Sequence, residues 1–360
     1  MTPDSRRLLP SDAPVTMIDP QGEARGDVPD DATLLHSLGL LTTARRLNDQ
    51  AYALVRQGRL AVYPSSHGQE ACQVAAAQVL DAGDWLFPTY RDTIAASVKG
   101  VDPVEALSLL KGDWHCGYDP YEHHVAPHTT PLATQLPHAV GVAHAARLRG
   151  EPTVVMAMCG DGGTSEGDFH EALNFAAVFQ APVVFFIQNN EYAISVPLAR
   201  QTHAPSLAHK GIGYGIPGER VDGNDMAALL TVLGDAVARA RAGEGPQLVE
   251  AHTYRMQAHT NADDATRYRD DAEVRPWVER DPITRLRAYL TGRGVLTPAV
   301  ETEFTAEAER AATHLRDGLN QDITPDPDDL FAYVFATPTP QLREQAALVA
   351  DELSREVAPS

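Results

Sequence analysis

The chain is poor in cysteine, in basic residues and in long apolar runs. Its three cysteines, Cys72, Cys116 and Cys159, cannot all pair and show no zinc-ligand spacing. They exclude a disulfide framework and fit a reducing compartment, so a cytoplasmic location is expected. Lys and Arg number 29 against 49 Asp and Glu, a formal charge of −20. That balance speaks against nonspecific binding to nucleic acid and against docking on an anionic membrane. It leaves room for a small anionic ligand, because a few local cations override the global field. No run of about 18 apolar residues is present and the first residues form no apolar signal core, so a soluble protein is expected. With 43% hydrophobic residues in 360 positions, the chain can still bury a large core.

What is present is concentrated between Pro152 and Ser195. Val154 to Cys159 is a short, fully apolar run, as expected of a strand buried on both faces of a parallel sheet. Asp168 to Phe179 carries Phe169, Ala172, Leu173, Ala176 and Ala177 at helical spacing, and Val183 to Ile187 is a second apolar run. A right-handed crossover makes the two strands parallel, so both end at one edge of the sheet. The fold class expected is α/β, a mainly parallel sheet flanked by helices. Asp161 then lies just past the first strand and Asn190 just past the second, at the carboxyl edge where such sheets bind ligands. With a main-chain carbonyl at Tyr192 they form three hard oxygen donors suited to magnesium. Gly162 and Gly163 let backbone approach an anion beside a helix start. Together these features ask for a diphosphate held through a divalent cation.

Gly160-Asp161-Gly162, then 26 residues, then Asn189-Asn190 resembles the thiamine diphosphate motif. The longer pattern GDGGTSEGD…NFAAV…NNEYAIS is similar to the alpha subunit of thiamine-dependent 2-oxo acid dehydrogenases. The resemblance covers roughly residues 34–353 and implies the thiamine-diphosphate-binding fold. It implies that Asp161, Asn190 and Tyr192 hold magnesium, with Gly162 and Gly163 against the cofactor. The Tyr90-Arg91 pair and His259 would reach the diphosphate. Leu132 would prop the cofactor in its bent shape, and Thr130, where relatives usually have Ser, would lie near the reacting centre. Thr129, Pro131, Thr134 and Gln135 would hold a structural potassium ion. Val62 stands where many relatives carry an aromatic near the substrate end, and Gln188 where some have Arg or Glu. Thr260 matches a regulatory phosphoserine of mitochondrial relatives. PLATQ, GYGI and VDGND lean toward branched-chain substrates, with pyruvate next.

Other readings compete for the same residues. Gly163-Thr164-Ser165-Glu166-Gly167 fits the nucleophile elbow of serine hydrolases, with Ser165 as nucleophile. Gly213 to Gly218 fits a dinucleotide fingerprint, but no apolar strand precedes it, so a loop is expected there. His115, Cys116, His123, His124 and His128 suggest a metal loop without any recognisable ligand spacing. A non-enzymatic nucleotide-binding role is the third alternative.

Residues 1–31 read as an extended arm, ordered only if a partner covers it. Residues 32–290 read as the cofactor-binding α/β domain and 291–360 as a helical C-terminal extension. Asp225 is placed to cap a helix from Met226, Gly58 to close the first helix, and Pro340 to Val357 to form an amphipathic segment. Related single-chain enzymes carry, on a second α/β domain, the glutamate that activates the thiamine ring. The chain has room for one such domain. The resemblance therefore implies a beta subunit, in a tetramer of two alpha and two beta chains. It also implies a lipoylated acyltransferase core as acyl acceptor and a 2-oxo acid as substrate.

Overall fold

A computed structural model of the chain describes residues 8–112, 116–321 and 326–356. The chain forms two units, one ending at Leu319 and one beginning at Asn320. In chain order the first carries α1 (Asp31–Arg56), α2 (Glu70–Gln78), β1 (Trp85–Phe87), α3 (Thr93–Val98), α4 (Pro103–Lys111), α5 (Pro120–His123) and α6 (Gln135–Arg149). Then come β2 (Val155–Gly160), α7 (Gly167–Phe179), β3 (Val183–Asn189), β4 (Tyr192–Ala193), β5 (Val196–Pro197), β6 (Gly218–Asp222) and α8 (Met226–Arg241). The unit closes with β7 (Gln247–His252), α9 (Asp271–Val278), α10 (Pro282–Gly292) and α11 (Pro298–Leu319).

Five strands form one parallel sheet in the order β1-β2-β3-β7-β6. Side chains of successive residues point to opposite faces of a strand. Met156 and Met158 accordingly join one core with Val184, Phe186, Leu229 and Leu233, whereas Val155, Ala157 and Cys159 join another with Phe169, Leu173 and Phe185. Every residue of β3 is buried, which is why its sequence is a continuous apolar run rather than an alternating one. Each fully buried Val, Leu or Phe side chain stabilises by about 1.5–3 kcal/mol. The strand ends carrying the site are thus anchored in the best-packed layer of the molecule. Gly160 pairs with Gln188 and Asn189 with His252, so β2, β3 and β7 terminate side by side.

Asp225 caps α8 by accepting from the Ala227 and Ala228 amides, and Gly58, at φ +71°, follows α1, both as the sequence predicts. The segment Gly213 to Gly218 is a 3-10 turn and a left-handed glycine, not a nucleotide-binding turn. It leads into β6, an edge strand without a sequence signal: of GERVD only Val221 is buried.

The N-terminal arm differs from expectation. Val15 bridges Val221 in parallel, extending the sheet beyond β6. The Met17 and Ile18 amides donate to Asp225 Oδ2 at 2.6 and 2.8 Å, and Arg285 Nε donates to the Ile18 carbonyl at 2.7 Å. Ile18 is fully buried. From Leu8 onward the arm is held by its own chain, which also covers the open edge of β6.

The C-terminal boundary differs as well: α11 packs along α1, so the first compact unit continues past residue 291 to Leu319. The second unit contains α12 (Asp329–Ala332) and α13 (Pro340–Glu356). Val357 lies outside the described residues. No helix among the described residues is long and apolar enough to cross a membrane.

Candidate active site

The crossover from β2 through α7 to β3 brings Asp161 and Asn190 together. Asp161 is 1% exposed and Asn190 is 6% exposed. The Asn190 Nδ2 donates to Gln69 Oε1 at 3.1 Å. Its amide oxygen consequently faces Asp161 Oδ1 at 3.2 Å and the Tyr192 carbonyl at 3.1 Å. Three oxygens this close repel one another unless positive charge lies among them. The Tyr192 amide donates to the same Asn190 oxygen at 3.4 Å. One carboxylate, one amide oxygen and one carbonyl match the hard donor set of magnesium, which keeps further positions for water and phosphate. The predicted donors therefore converge and fit the ion.

Each donor is steadied from behind. Gln201 Nε2 donates to Asp161 Oδ2 at 2.6 Å. Arg255, 1% exposed, donates to the Tyr192 carbonyl at 3.2 Å and to the Ile194 carbonyl at 2.6 Å. Burial pushes the Asp161 carboxyl above its usual range, and the Gln201 bond pulls it partly back. A bound cation would favour the ionised form outright.

The second cluster is cationic. Arg91 Nη1 donates to the Ser65 carbonyl at 2.7 Å, and Nη2 lies 3.1 Å from His259 Nδ1. Arg255 Nη1 reaches the same nitrogen at 3.3 Å. Two guanidinium donors on one ring nitrogen require that nitrogen to be the unprotonated acceptor. Burial first, then the charges of Arg91 and Arg255, bring the His259 pKa down to about 4. The Tyr90 ring lies edge-on to His259, with centroids 6.0 Å apart. Tyr90, Arg91 and His259 are thus assembled as expected, and through Arg255 they adjoin the oxygen cluster.

The segment from Thr129 to Gln135 is joined less closely. The Tyr90 amide donates to the Thr129 carbonyl at 3.2 Å. Gln135 donates to the Met158 carbonyl at 2.7 Å, and its Oε1 is buried with no partner among the described residues. Thr134 Oγ1 donates to Asp168 at 3.2 Å, keeping its lone pairs available. Two such oxygens are donors of the kind a potassium ion takes, and Pro131 is exposed. Thr130 is exposed and Leu132 is 44% exposed.

Gly162 and Gly163 serve internal packing. A Cβ on Gly162 would come within 2.7 Å of Ala193 Cβ, and one on Gly163 within 2.5 Å of Cys159 Sγ. The hairpin carrying Tyr192 can therefore close onto the turn only over glycine.

Ser165 does not form a nucleophile elbow. The strand stops at Gly160, and Ser165 sits exposed at the end of a 3-10 turn. No histidine bond to it exists among the described residues. Among the described residues, no group of three His, Cys, Asp or Glu side chains could hold a metal; His115 of the histidine-rich loop lies outside them. Val62 is half-buried against the core, while the Tyr63 amide reaches Asn261 at 3.2 Å, beside the His259 loop. Gln188 donates to Asp92 at 2.7 Å and so serves the interior.

The family model described as Dehydrogenase E1 component matches residues 39–324. The chain belongs to this dehydrogenase E1 family. Relatives agree over most of their length. The 3-methyl-2-oxobutanoate dehydrogenase subunit alpha of Mycobacterium tuberculosis is 46% identical over 348 residues, 95% of each chain. The pyruvate dehydrogenase E1 component subunit alpha of Staphylococcus aureus is 39% identical over 300 residues, 82% of this chain and 81% of the relative. Membership makes this E1 chain an oxidoreductase component and implies use of thiamine diphosphate. Gln69, Gln201 and Arg255 are the residues of the site that sequence reasoning missed. Only Arg255, four positions before His259 and just past an apolar strand, carries a signal that could have found it.

Proposed function

We propose that this E1 chain is the alpha subunit of a branched-chain 2-oxo acid dehydrogenase. It would act with a beta subunit in a tetramer of two alpha and two beta chains, passing the acyl group to a lipoylated acyltransferase core. The observation that carries the reading is the pairing of an oxygen cluster facing inward with an adjoining cationic cluster. A diphosphate bound through magnesium satisfies both.

In this reading Asp161, Asn190 and the Tyr192 carbonyl hold magnesium. Tyr90, Arg91 and His259 receive the diphosphate oxygens, Gly162 and Gly163 border them, and Leu132 and Thr130 lie toward the reacting end. Potassium would sit at Thr129, Pro131, Thr134 and Gln135. Thiamine diphosphate, when bound, supplies the electron sink that decarboxylation of a 2-oxo acid needs. The chain's own residues bind and orient: Arg255 fixes the Tyr192 carbonyl, and His259 stays neutral until an anion arrives. The preference for a branched substrate rests on the relative that is similar over 95% of both chains and on the smaller Val62.

The test is reconstitution. The chain alone with magnesium and thiamine diphosphate should not decarboxylate 2-oxo acids, and adding the beta subunit should restore turnover. Pocket contacts differing by a methylene discriminate by about 10- to 200-fold. Accordingly kcat/KM should favour 3-methyl-2-oxobutanoate over pyruvate by at least about tenfold. A pyruvate preference of that size would overturn the substrate assignment, and activity of the chain alone would overturn the partnership.

A further inference from the structure

Two buried glutamines on one face of α2's first turns touch both halves of the site. Gln69 and Gln73 stand four residues apart, the spacing that places side chains on one helical face, and both are fully buried. Gln73 Nε2 donates to the Arg91 carbonyl at 3.1 Å, behind the cationic cluster. Gln69 Oε1 accepts from Asn190 Nδ2, behind the oxygen cluster. The Gln69 backbone is itself fixed, its amide donating to the Ser66 carbonyl at 2.8 Å. Gln69 Nε2 has no partner among the described residues.

The Asn190 amide has two ends of opposite chemistry, and only its oxygen can serve a cation. Turned over, its nitrogen would donate to Asp161 Oδ1 and the Tyr192 carbonyl, tying up both remaining ligands. Two contacts bear on its orientation: the Tyr192 amide donates to Oδ1 at 3.4 Å, and Gln69 accepts from Nδ2 at 3.1 Å. An acceptor on the Gln69 side holds the Asn190 nitrogen and points its oxygen at the cation position. A donor there does the reverse. Gln69 presents its oxygen to Asn190.

We infer that Gln69 is the positioning residue that keeps the oxygen of Asn190 facing the metal. The inference rests on the magnesium reading. It goes beyond that reading by assigning a role to a residue outside the three proposed metal donors. Outer partners of metal ligands change affinity by about 10- to 100-fold when removed.

The experiment measures free Mn(II) by electron paramagnetic resonance, with manganese standing in for magnesium. It uses the full chain assembled with its beta subunit, in saturating thiamine diphosphate. Gln69→Met, which leaves the Asn190 nitrogen without an acceptor, should weaken Mn(II) binding about tenfold. Gln69→Asn, which withdraws the amide by one methylene yet keeps a favourable helix-capping residue, should weaken it similarly. It replaces Gln69→Met should that variant fail to assemble. An Asn190→Asp background separates positioning from mere support, because a carboxylate presents oxygen in either orientation. There the Gln69 substitution should lose most of its effect. A loss below about fivefold in the wild-type background, or an equal loss in both backgrounds, overturns the inference. Absence of Mn(II) binding by the wild-type assembly overturns the magnesium reading and the inference with it.

Discussion

The two halves of the site differ in what they leave unsatisfied. At the ends of β2 and β3, Asp161, Asn190 and the Tyr192 carbonyl turn three oxygens toward one point. In the adjoining loop, Arg91 and Arg255 turn two guanidinium groups toward one neutral histidine nitrogen. The first half gathers oxygens, with Arg255 donating to the Tyr192 carbonyl, and the second gathers positive charge. Neither arrangement stabilises the protein by itself, since gathered oxygens repel and gathered cations depress His259. Their adjacency is what supports the proposed ligand, a diphosphate bound through a metal. The halves are also anchored differently. The oxygen half grows from strands packed on both faces, whereas the cationic half depends on a loop that Arg269 braces through the carbonyls of Met256 and Gln257.

The largest effect should come from breaking the oxygen half. Asp161→Ala removes its only carboxylate, so affinity for thiamine diphosphate with magnesium should fall at least about 100-fold. Calorimetric titration of the reconstituted assembly measures this. Because burial penalises the Asp161 charge, the unliganded variant should melt no lower than wild type. A large drop in Tm would mean that the carboxylate is structural. Arg91→Ala should cost less, about 10- to 100-fold in cofactor affinity, as expected from about 1.5–3 kcal/mol per charge-assisted bond. Since Arg91 makes no direct contact with the metal donors, Mn(II) affinity without cofactor should be unchanged.

The cationic half can be sharpened by pH. His259 has a folded pKa of about 4 against an ordinary value of 6.5. The folded state therefore favours the neutral ring. The resulting stability is fully present above 6.5 and is lost as pH falls through that value toward 4, because the unfolded chain takes up the proton first. An anion beside the ring reverses the preference, so diphosphate binding at about pH 5.5 should take up protons. Titration in two buffers of different ionisation enthalpy reads this directly. His259→Gln should abolish the uptake and flatten the stability profile. Proton release on binding by the wild type would contradict the assignment.

The oxygen half was legible in the sequence because strands buried on both faces announce themselves as unbroken apolar runs. Val154 to Cys159 and Val183 to Ile187 could hardly be anything else, and Asp161 and Asn190 follow from where those runs end. The cationic half was legible only by resemblance, since Arg91 and His259 sit in loops whose composition does not distinguish a binding residue from a solvated one. Gln69 and Gln201 were invisible for a related reason. A buried glutamine differs from an exposed one only through its partner, which lies 121 positions away for Gln69 and 40 for Gln201. Likewise β6 and the arm carry no pattern of their own. Val15 and Val221 become a strand pair only once each finds the other.

The smallest effects should fall on the turn that joins β2 to α7, where packing and chemistry separate. Gly163→Ala places a methyl group 2.5 Å from Cys159 Sγ, an overpacking expected to destabilise by about 1–3 kcal/mol. Adding Cys159→Ala should restore most of it in thermal melts. Two residues further on, Ser165→Ala should do nothing measurable. Its side chain is exposed and β2 stops five residues before it. Neighbouring bonds that hold the turn run from Thr164 Oγ1 to the Asp161 carbonyl and from Lys210 Nζ to Thr164, bypassing Ser165 altogether. Stability should stay within about 0.5 kcal/mol, and turnover within about twofold, which is the same energy at the transition state. A fluorophosphonate probe should leave the hydroxyl unlabelled, because among the described residues no histidine bonds to it. Labelling at Ser165, or loss of turnover comparable to that of Asp161→Ala, would move the chemistry from the strand ends to the turn. The two facing clusters would then be left without a function.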